Sequence, residues 1–164
     1  MHANHVLFAK LIVLTILAAG MARAESPLWK EGISLIPYPQ QVQLGGEDFV
    51  FEGEVGVVLD STLSAADRFA AEDLAMRMRE RYPAVRLGGS PLAREIRLTR
   101  AGATANLGAQ GYELTVEKSR ITVRAETEAG LFYGTRTMLQ LIQQLPGRTF
   151  VRGLRITDRP DVTQ

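Results

Sequence analysis

The residues of this sequence best suited to acid and base work are carboxylates, and they cluster at Glu47-Asp48, at Glu72-Asp73 and around Glu126 and Glu128. Two carboxyl groups held close together can divide general-acid and general-base work between them. Adjacent residues on a helix point in directions about 100° apart, so Glu72-Asp73 within a helix reads as a solvated charged surface. Glu126 and Glu128 flank a helix start, where negative charge is favoured by the helix dipole. The only histidines are His2 and His5, and there is no cysteine. Both histidines fall in an N-terminal segment that reads as cleaved, so Ser-His-Asp and Cys-His sites, His or Cys zinc sites and disulfides are excluded from the rest. The stretch Gly53-Glu54-Val55-Gly56 lacks the Lys-Ser/Thr of a phosphate loop and the dinucleotide pattern. No catalytic, cofactor-binding or metal residue is assigned, and no cofactor is expected.

One stretch nevertheless stands out. Residues 127–142 read TEAGLFYGTRTMLQLI, a capped helix with Gly130 and Gly134 four residues apart. Each glycine costs about 1 kcal/mol against alanine inside a helix. With no His or Cys in the rest of the chain and a hairpin immediately before the stretch, the gain expected from the two missing side chains is close packing, since residues four apart share a helix face.

The frame around these residues begins with residues 1–24, which read as a signal peptide. Lys10 precedes the uncharged run LIVLTILAAG, and Ala22-Arg23-Ala24 has the small-x-small form that signal peptidase accepts. The run is short for a membrane span. Cleavage after Ala24 predicts an exported chain, periplasmic or extracellular, with no stable membrane span. It leaves 164 − 24 = 140 residues, the size of one domain. It also removes Lys10 and Arg23 from 19 basic residues, leaving 17 against 18 acidic ones. That balance carries no basic footprint, and nucleic acid is not expected as a partner.

After a lead-in over 25–32, the prolines of Leu35-Ile36-Pro37-Tyr38-Pro39 rule out a central strand. Strands are expected at 41–44 and 48–51, joined as a hairpin by Gly45-Gly46, and at 54–59. A helix capped by Ser61 or Thr62 is expected to run to Arg81, with Asp67, Arg68, Glu72, Arg77 and Arg79 on its wet face. Residues 84–92 read as a loop and 95–99 as a half-buried strand. The alternation of Tyr112, Leu114 and Val116, then Ile121 and Val123, predicts a hairpin with one packed face. A helix capped by Thr127 comes next, its stripe of Leu131, Thr135, Met138, Ile142 and Leu145 covering the sheet until Pro146-Gly147 stops it. One last strand is expected over 150–156. The order implies an α+β fold: a two-layer sandwich of a mixed or mostly antiparallel sheet with two helices on one face.

Gly111-Tyr112-Glu113-Leu114, Ile121-Thr122-Val123, Ala129-Gly130-Leu131-Phe132-Tyr133-Gly134, Thr137 and Leu139-Gln140-Leu141-Ile142 resemble the N-terminal accessory domain of family 20 glycoside hydrolases, the β-N-acetylhexosaminidases and chitobiases. Leu35-Ile36-Pro37-Tyr38-Pro39 is similar to the start of that domain, and Ile156-x-Asp158-x-Pro160 to the segment leading to the catalytic barrel. The signature residues are Gly111, Tyr112, Gly130, Leu131, Tyr133, Gly134, Thr137, Gln140, Asp158 and Pro160. The resemblance implies an accessory domain over 33–157, and over 158–164 the start of a linker to a barrel. In such enzymes the reaction belongs to the barrel, where a Glu acts as general acid and a neighbouring Asp orients the substrate acetamido group. A barrel needs roughly 250 residues, and Glu47-Asp48 and Glu72-Asp73 are in the reverse order for that pair. Activity is therefore expected of the parent enzyme and not of this domain. Trp29 lies ahead of the domain and reads as a packing or interface residue.

The partners implied are the catalytic barrel, absent here through truncation or separate coding, and possibly an amino-sugar oligosaccharide. Two alternatives stand beside this one: the accessory domain of another glycosidase family, and a freestanding periplasmic carbohydrate-binding or protein-interaction module.

Overall fold

The computed structural model describes residues 26–60, 64–88, 92–100, 102 and 106–159. The signal peptide, its cleavage site, Ser61, Thr62 and Pro160 lie outside the described residues. The elements, in order, are α1 (Pro27–Lys30), β1 (Gln41–Leu44), β2 (Phe49–Val50), β3 (Val55–Leu59), α2 (Ala65–Arg79), β4 (Val85–Leu87), β5 (Arg94–Thr99), β6 (Tyr112–Val116), β7 (Arg120–Ala125), α3 (Glu128–Leu141), β8 (Gln143–Leu145), β9 (Arg148–Val151) and β10 (Leu154–Asp158).

Seven strands form one mixed sheet in the order β1-β10-β6-β7-β5-β3-β4, and β2, β9 and β8 form a small second sheet. Pairing is antiparallel from β1 through β10 and β6 to β7, and parallel from β7 through β5 and β3 to β4. Helices α2 and α3 pack together on one face of the large sheet. The two-layer α+β sandwich read from the sequence is the fold observed.

The core follows from alternation. Leu114, Ile121, Val123, Ile96, Leu98, Val55, Val57 and Ile156 point to the helices and are buried. Against them α3 sets Leu131, Thr135, Met138 and Leu141, and α2 sets Ala71, Leu74, Ala75 and Met78. The opposite face carries Glu113, Thr115, Thr122, Arg124, Glu95, Arg97, Arg155 and Thr157.

Helix α2 starts at Ser64, whose hydroxyl accepts from the Asp67 N–H at 3.2 Å while the Asp67 carboxylate accepts from the Ser64 N–H at 3.0 Å. This capping box supplies the start that was expected at Ser61 or Thr62. It also corrects the placing of Asp67 on the wet face, for Asp67 is fully buried and takes a further bond from Arg100 at 3.2 Å. Asp73, next to Glu72, is buried as well. Arg77 and Arg136 hold it at 3.1 and 2.7 Å, tying α2 to α3.

Four further expectations need correction. Strands β1 and β2 are not a hairpin: β1 pairs with β10 in the large sheet and β2 with β9 in the small one. Gly45 donates to the Gly153 carbonyl at 3.0 Å, so the glycine pair carries the chain from one sheet to the other. The stretch read as a loop at 84–92 contains β4, an edge strand paired in parallel with β3. Helix α3 ends at Leu141, before Pro146. Residues 143–145 turn into β8, and Pro146-Gly147 makes the β8–β9 turn with Gly147 at φ +73°. Leu145 is thus exposed and does not cover the sheet. The single last strand is two, β9 and β10, separated by Arg152 and Gly153.

The two ends of the domain meet. The Gln40 N–H donates to the Asp158 carboxylate at 3.1 Å, and its side-chain amide donates to the Arg159 carbonyl at 2.6 Å.

Candidate functional site

The glycine-bearing start of α3 lies directly on the sheet. A methyl group at Gly134 would stand 2.5 Å from Val123 Cγ1 and 3.2 Å from Tyr112 Cγ. At Gly130 it would run into the Gly111 carbonyl oxygen and stand 3.0 Å from Ala125 Cβ. At Gly111 it would collide with the Leu107 carbonyl and come within 2.9 Å of the Asp158 carbonyl. Three glycines thus let helix, sheet and preceding turn approach to backbone contact.

Tyr112 fills the seam beneath them. Its hydroxyl and that of Thr137 are 2.6 Å apart in a buried hydrogen bond. Burial pushes the phenol well above its ordinary range; the Thr137 bond opposes this and the Asp158 carboxylate adds to it. Tyr112 is therefore a neutral structural hydroxyl at physiological pH. Asp158 sits opposite Tyr112 in the β10–β6 register and accepts from Gln40.

The structure thus brings Gly111, Tyr112, Gly130, Gly134, Thr137 and Asp158 together at one seam, with Leu131 buried on α3 beside it. Tyr133 and Gln140 point elsewhere. Tyr133 is 41% exposed. The Gln140 amide accepts from the Ile36 N–H at 3.1 Å and donates to its carbonyl at 3.3 Å, clamping the lead-in against α3. Trp29 is 66% exposed on α1, while its neighbour Leu28 is buried.

Several of the carboxylates are engaged in ion pairs and hydrogen bonds, while Glu72 is exposed on α2. Asp48 is held by Arg148 at 3.0 Å and Glu47 by Lys118 at 2.9 Å. The Glu126 side chain accepts from the Leu107 N–H at 3.2 Å. Glu95, a buried acid on the open sheet face, is bound by Arg120 at 2.6 Å and Arg97 at 3.3 Å. Among the described residues no three His, Cys, Asp or Glu side chains converge in a way that would hold a metal ion.

Several hollows interrupt the surface of the described residues, and two of them adjoin segments named above. One, of about 470 Å³, lies between the lead-in, the end of α3 and the small sheet. Its polar walls are occupied with joining segments, as when Gln143 donates to the Glu31 carbonyl at 3.2 Å and Arg152 pairs with Glu31 at 2.6 Å. The other, of about 300 Å³, lies on the open face of the large sheet across β1, β10, β6 and β7. It was not singled out in the sequence, although the alternation that buries Leu114 and Ile156 necessarily places Glu113, Thr115, Arg155 and Thr157 there.

In this seam of an α+β module close packing fixes the distinctive residues. Residues 32–159 match glycosyl hydrolase family 20, domain 2, and the chain belongs to that family.

Solved structures agree on the fold. An N-acetyl-β-hexosaminidase of Streptomyces plicatus is 26% identical with a TM-score of 0.64, over 84% of this chain and 28% of that one. The β-N-acetylhexosaminidase of Streptomyces coelicolor A3(2) is 27% identical with a TM-score of 0.59, over 76% of this chain and 26% of that one. A Flavobacterium johnsoniae chitobiase is 22% identical with a TM-score of 0.62, over 80% of this chain and 21% of that one. The match therefore spans only between 21% and 28% of these three chains. No curated protein matches the sequence.

Proposed function

We propose that the chain is the exported accessory domain of a β-N-acetylhexosaminidase-type glycoside hydrolase, inactive by itself, whose helical side seats the catalytic (β/α)₈ barrel. The observation that carries this reading is the family match over residues 32–159. The surface of the helical layer supports the docking part. Phe69 and Met76 on α2 are 60% and 55% exposed, and they are seven residues apart, on one face. Tyr133 on α3 and Ile36 and Tyr38 in the lead-in add further exposed apolar area. The opposite sheet face is charged, so the helical side is the one suited to a large apolar interface.

Amino-sugar chemistry enters through the parent enzyme, and export through the signal-like residues 1–24. Glu47, Asp48, Asp73 and Glu95 are each held by a lysine or arginine, an arrangement suited to structural ion pairs. Incubation of the purified chain with a chromogenic N-acetylglucosaminide tests the reading, with no release above the buffer rate expected. Turnover that copurifies with the chain and survives a second chromatographic step would overturn it.

A further inference from the structure

We propose that the hollow on the open face of the large sheet binds an anionic saccharide, with the guanidinium groups of Arg155 and Arg159 as its charge-reading elements. Arg155 and Arg159 both line it and are exposed. Most arginines of the described residues are spent on carboxylates or backbone carbonyls, including Arg77, Arg94, Arg97, Arg120, Arg136, Arg148 and Arg152. Neither Arg155 nor Arg159 has a carboxylate partner among the described residues. The third arginine of the hollow, Arg124, lies 3.5 Å from Glu113, so that pair is close to neutral. Two positive charges therefore remain in one concavity of a chain whose formal net charge is only +1.

The backbone under them is rigid. Register places Gln43, Arg155 and Thr115 on one rung and Gln41, Thr157 and Glu113 on the next, across three adjacent strands of the large sheet. Side chains on one face of adjoining strands form a fixed array, with strands about 4.8 Å apart. The two glutamine amides and two threonine hydroxyls offer donors and acceptors of the kind sugar hydroxyls use. A planar guanidinium reads a carboxylate, sulfate or phosphate through paired N–H bonds. No aromatic ring lines the hollow, so a neutral sugar finds no stacking surface there and charge becomes the basis of selection. A volume of about 300 Å³ is at the lower end for small-molecule sites and suits one or two sugar units. The saccharide part of the assignment rests on the hydrolase reading above; the anion part rests on the arginines alone.

The test is calorimetric titration of the purified chain at low and moderate salt with four probes: N-acetylmuramic acid, N-acetylglucosamine 6-sulfate, neutral chitobiose and inorganic sulfate. Both anionic sugars should bind at least tenfold more tightly than chitobiose, and more weakly as salt rises. The Arg155→Gln, Arg159→Gln double variant should lose that preference while keeping the parent melting temperature, because both side chains are exposed. The carboxylate and sulfate arms show which anion fits better. The proposal is overturned if the anionic sugars bind no better than chitobiose, if the double variant binds like the parent, or if inorganic sulfate binds as tightly as the sulfated sugar. Such a result would leave the accessory-domain reading standing, since that reading is tested by hydrolysis and by the helical surface on the other side of the sheet.

Discussion

Replacement of Gly130 by alanine sets two effects of opposite sign against each other. In a helix interior alanine gains about 1 kcal/mol over glycine, which is the upper bound for Gly130 in the first turn of α3. Against this, the new methyl meets the Gly111 carbonyl oxygen, a backbone atom that cannot rotate away, and Ala125 Cβ at 3.0 Å. Carbon normally stays at least about 3.3 Å from a carbonyl oxygen, so the start of α3 must lift. A radial gap of about 0.5 to 1 Å forfeits a quarter to a half of the local dispersion energy, and Leu131, next to Gly130, is fully buried. Overpacking of this kind costs typically about 1 to 3 kcal/mol. Taking the upper figure for a backbone clash and subtracting the propensity gain leaves a net loss of about 2 kcal/mol. At about 4 °C per kcal/mol for a domain of this size, the melting temperature should fall by roughly 8 °C. Thermal and urea unfolding followed by circular dichroism measure it. Ala129→Gly, at the exposed neighbouring position, calibrates the propensity effect alone at about 1 kcal/mol of loss. A Gly130→Ala protein that melts at or above the parent temperature would show that the helix does not need the missing side chain.

Tyr112 gives a pH signature. The unfolded phenol ionises from about pH 10, whereas in the folded chain it stays protonated to higher pH. Above pH 10 the native state holds the extra proton, so its stability is complete below that pH and declines as pH rises beyond it. Tyr112→Phe should lose about 1 kcal/mol at pH 7 with the Thr137 bond and show a shallower decline above pH 10. Equal slopes for the two proteins in urea titrations would refute the assignment. On the helical surface, Phe69→Ser with Met76→Ser should reduce binding of a hydrophobic dye and concentration-dependent self-association, as removal of an apolar patch requires. A parent chain that is monomeric at high concentration and binds no dye would sink the docking surface itself.

The parts of the fold visible in the sequence are those set by local periodicity. The β6–β7 hairpin shows itself because five alternating residues meet a short polar turn. Helix α3 is visible because Thr127 caps it and its apolar stripe runs unbroken to Leu141. That same stripe hid the end of the helix. Ile142 and Leu145 keep the helical spacing, yet residues 143–145 gain more by pairing with β9, and no local signal announces a non-local partner. Strand β4 is three residues long and followed by glycine, so composition reads it as loop. Gly45-Gly46 suits a hairpin, but the partner that decides its path is Gly153, more than a hundred residues away. Asp67 shows the same limit, since its burial depends on Arg100. At the seam, the cost of two helical glycines was readable as a demand for close approach. Their targets, the Gly111 carbonyl and Val123, were set by topology. The arginine hollow was implicit in strand alternation, but joining β1, β10 and β6 side by side required the sheet order.

Strand β10 lies between β1 and β6 and is antiparallel to both, with four register pairs on each side. Its hydrogen bonds run perpendicular to the strand. Tension on the chain beyond Arg159 would therefore act along the strand and load both ladders in shear, all rungs at once, instead of peeling them open one at a time. Gln40, bound to both Asp158 and Arg159, would share that load with the other end of the domain. Mechanically such an arrangement is a clamp: a load applied through Arg159 would be shared by β1, β10 and β6 together.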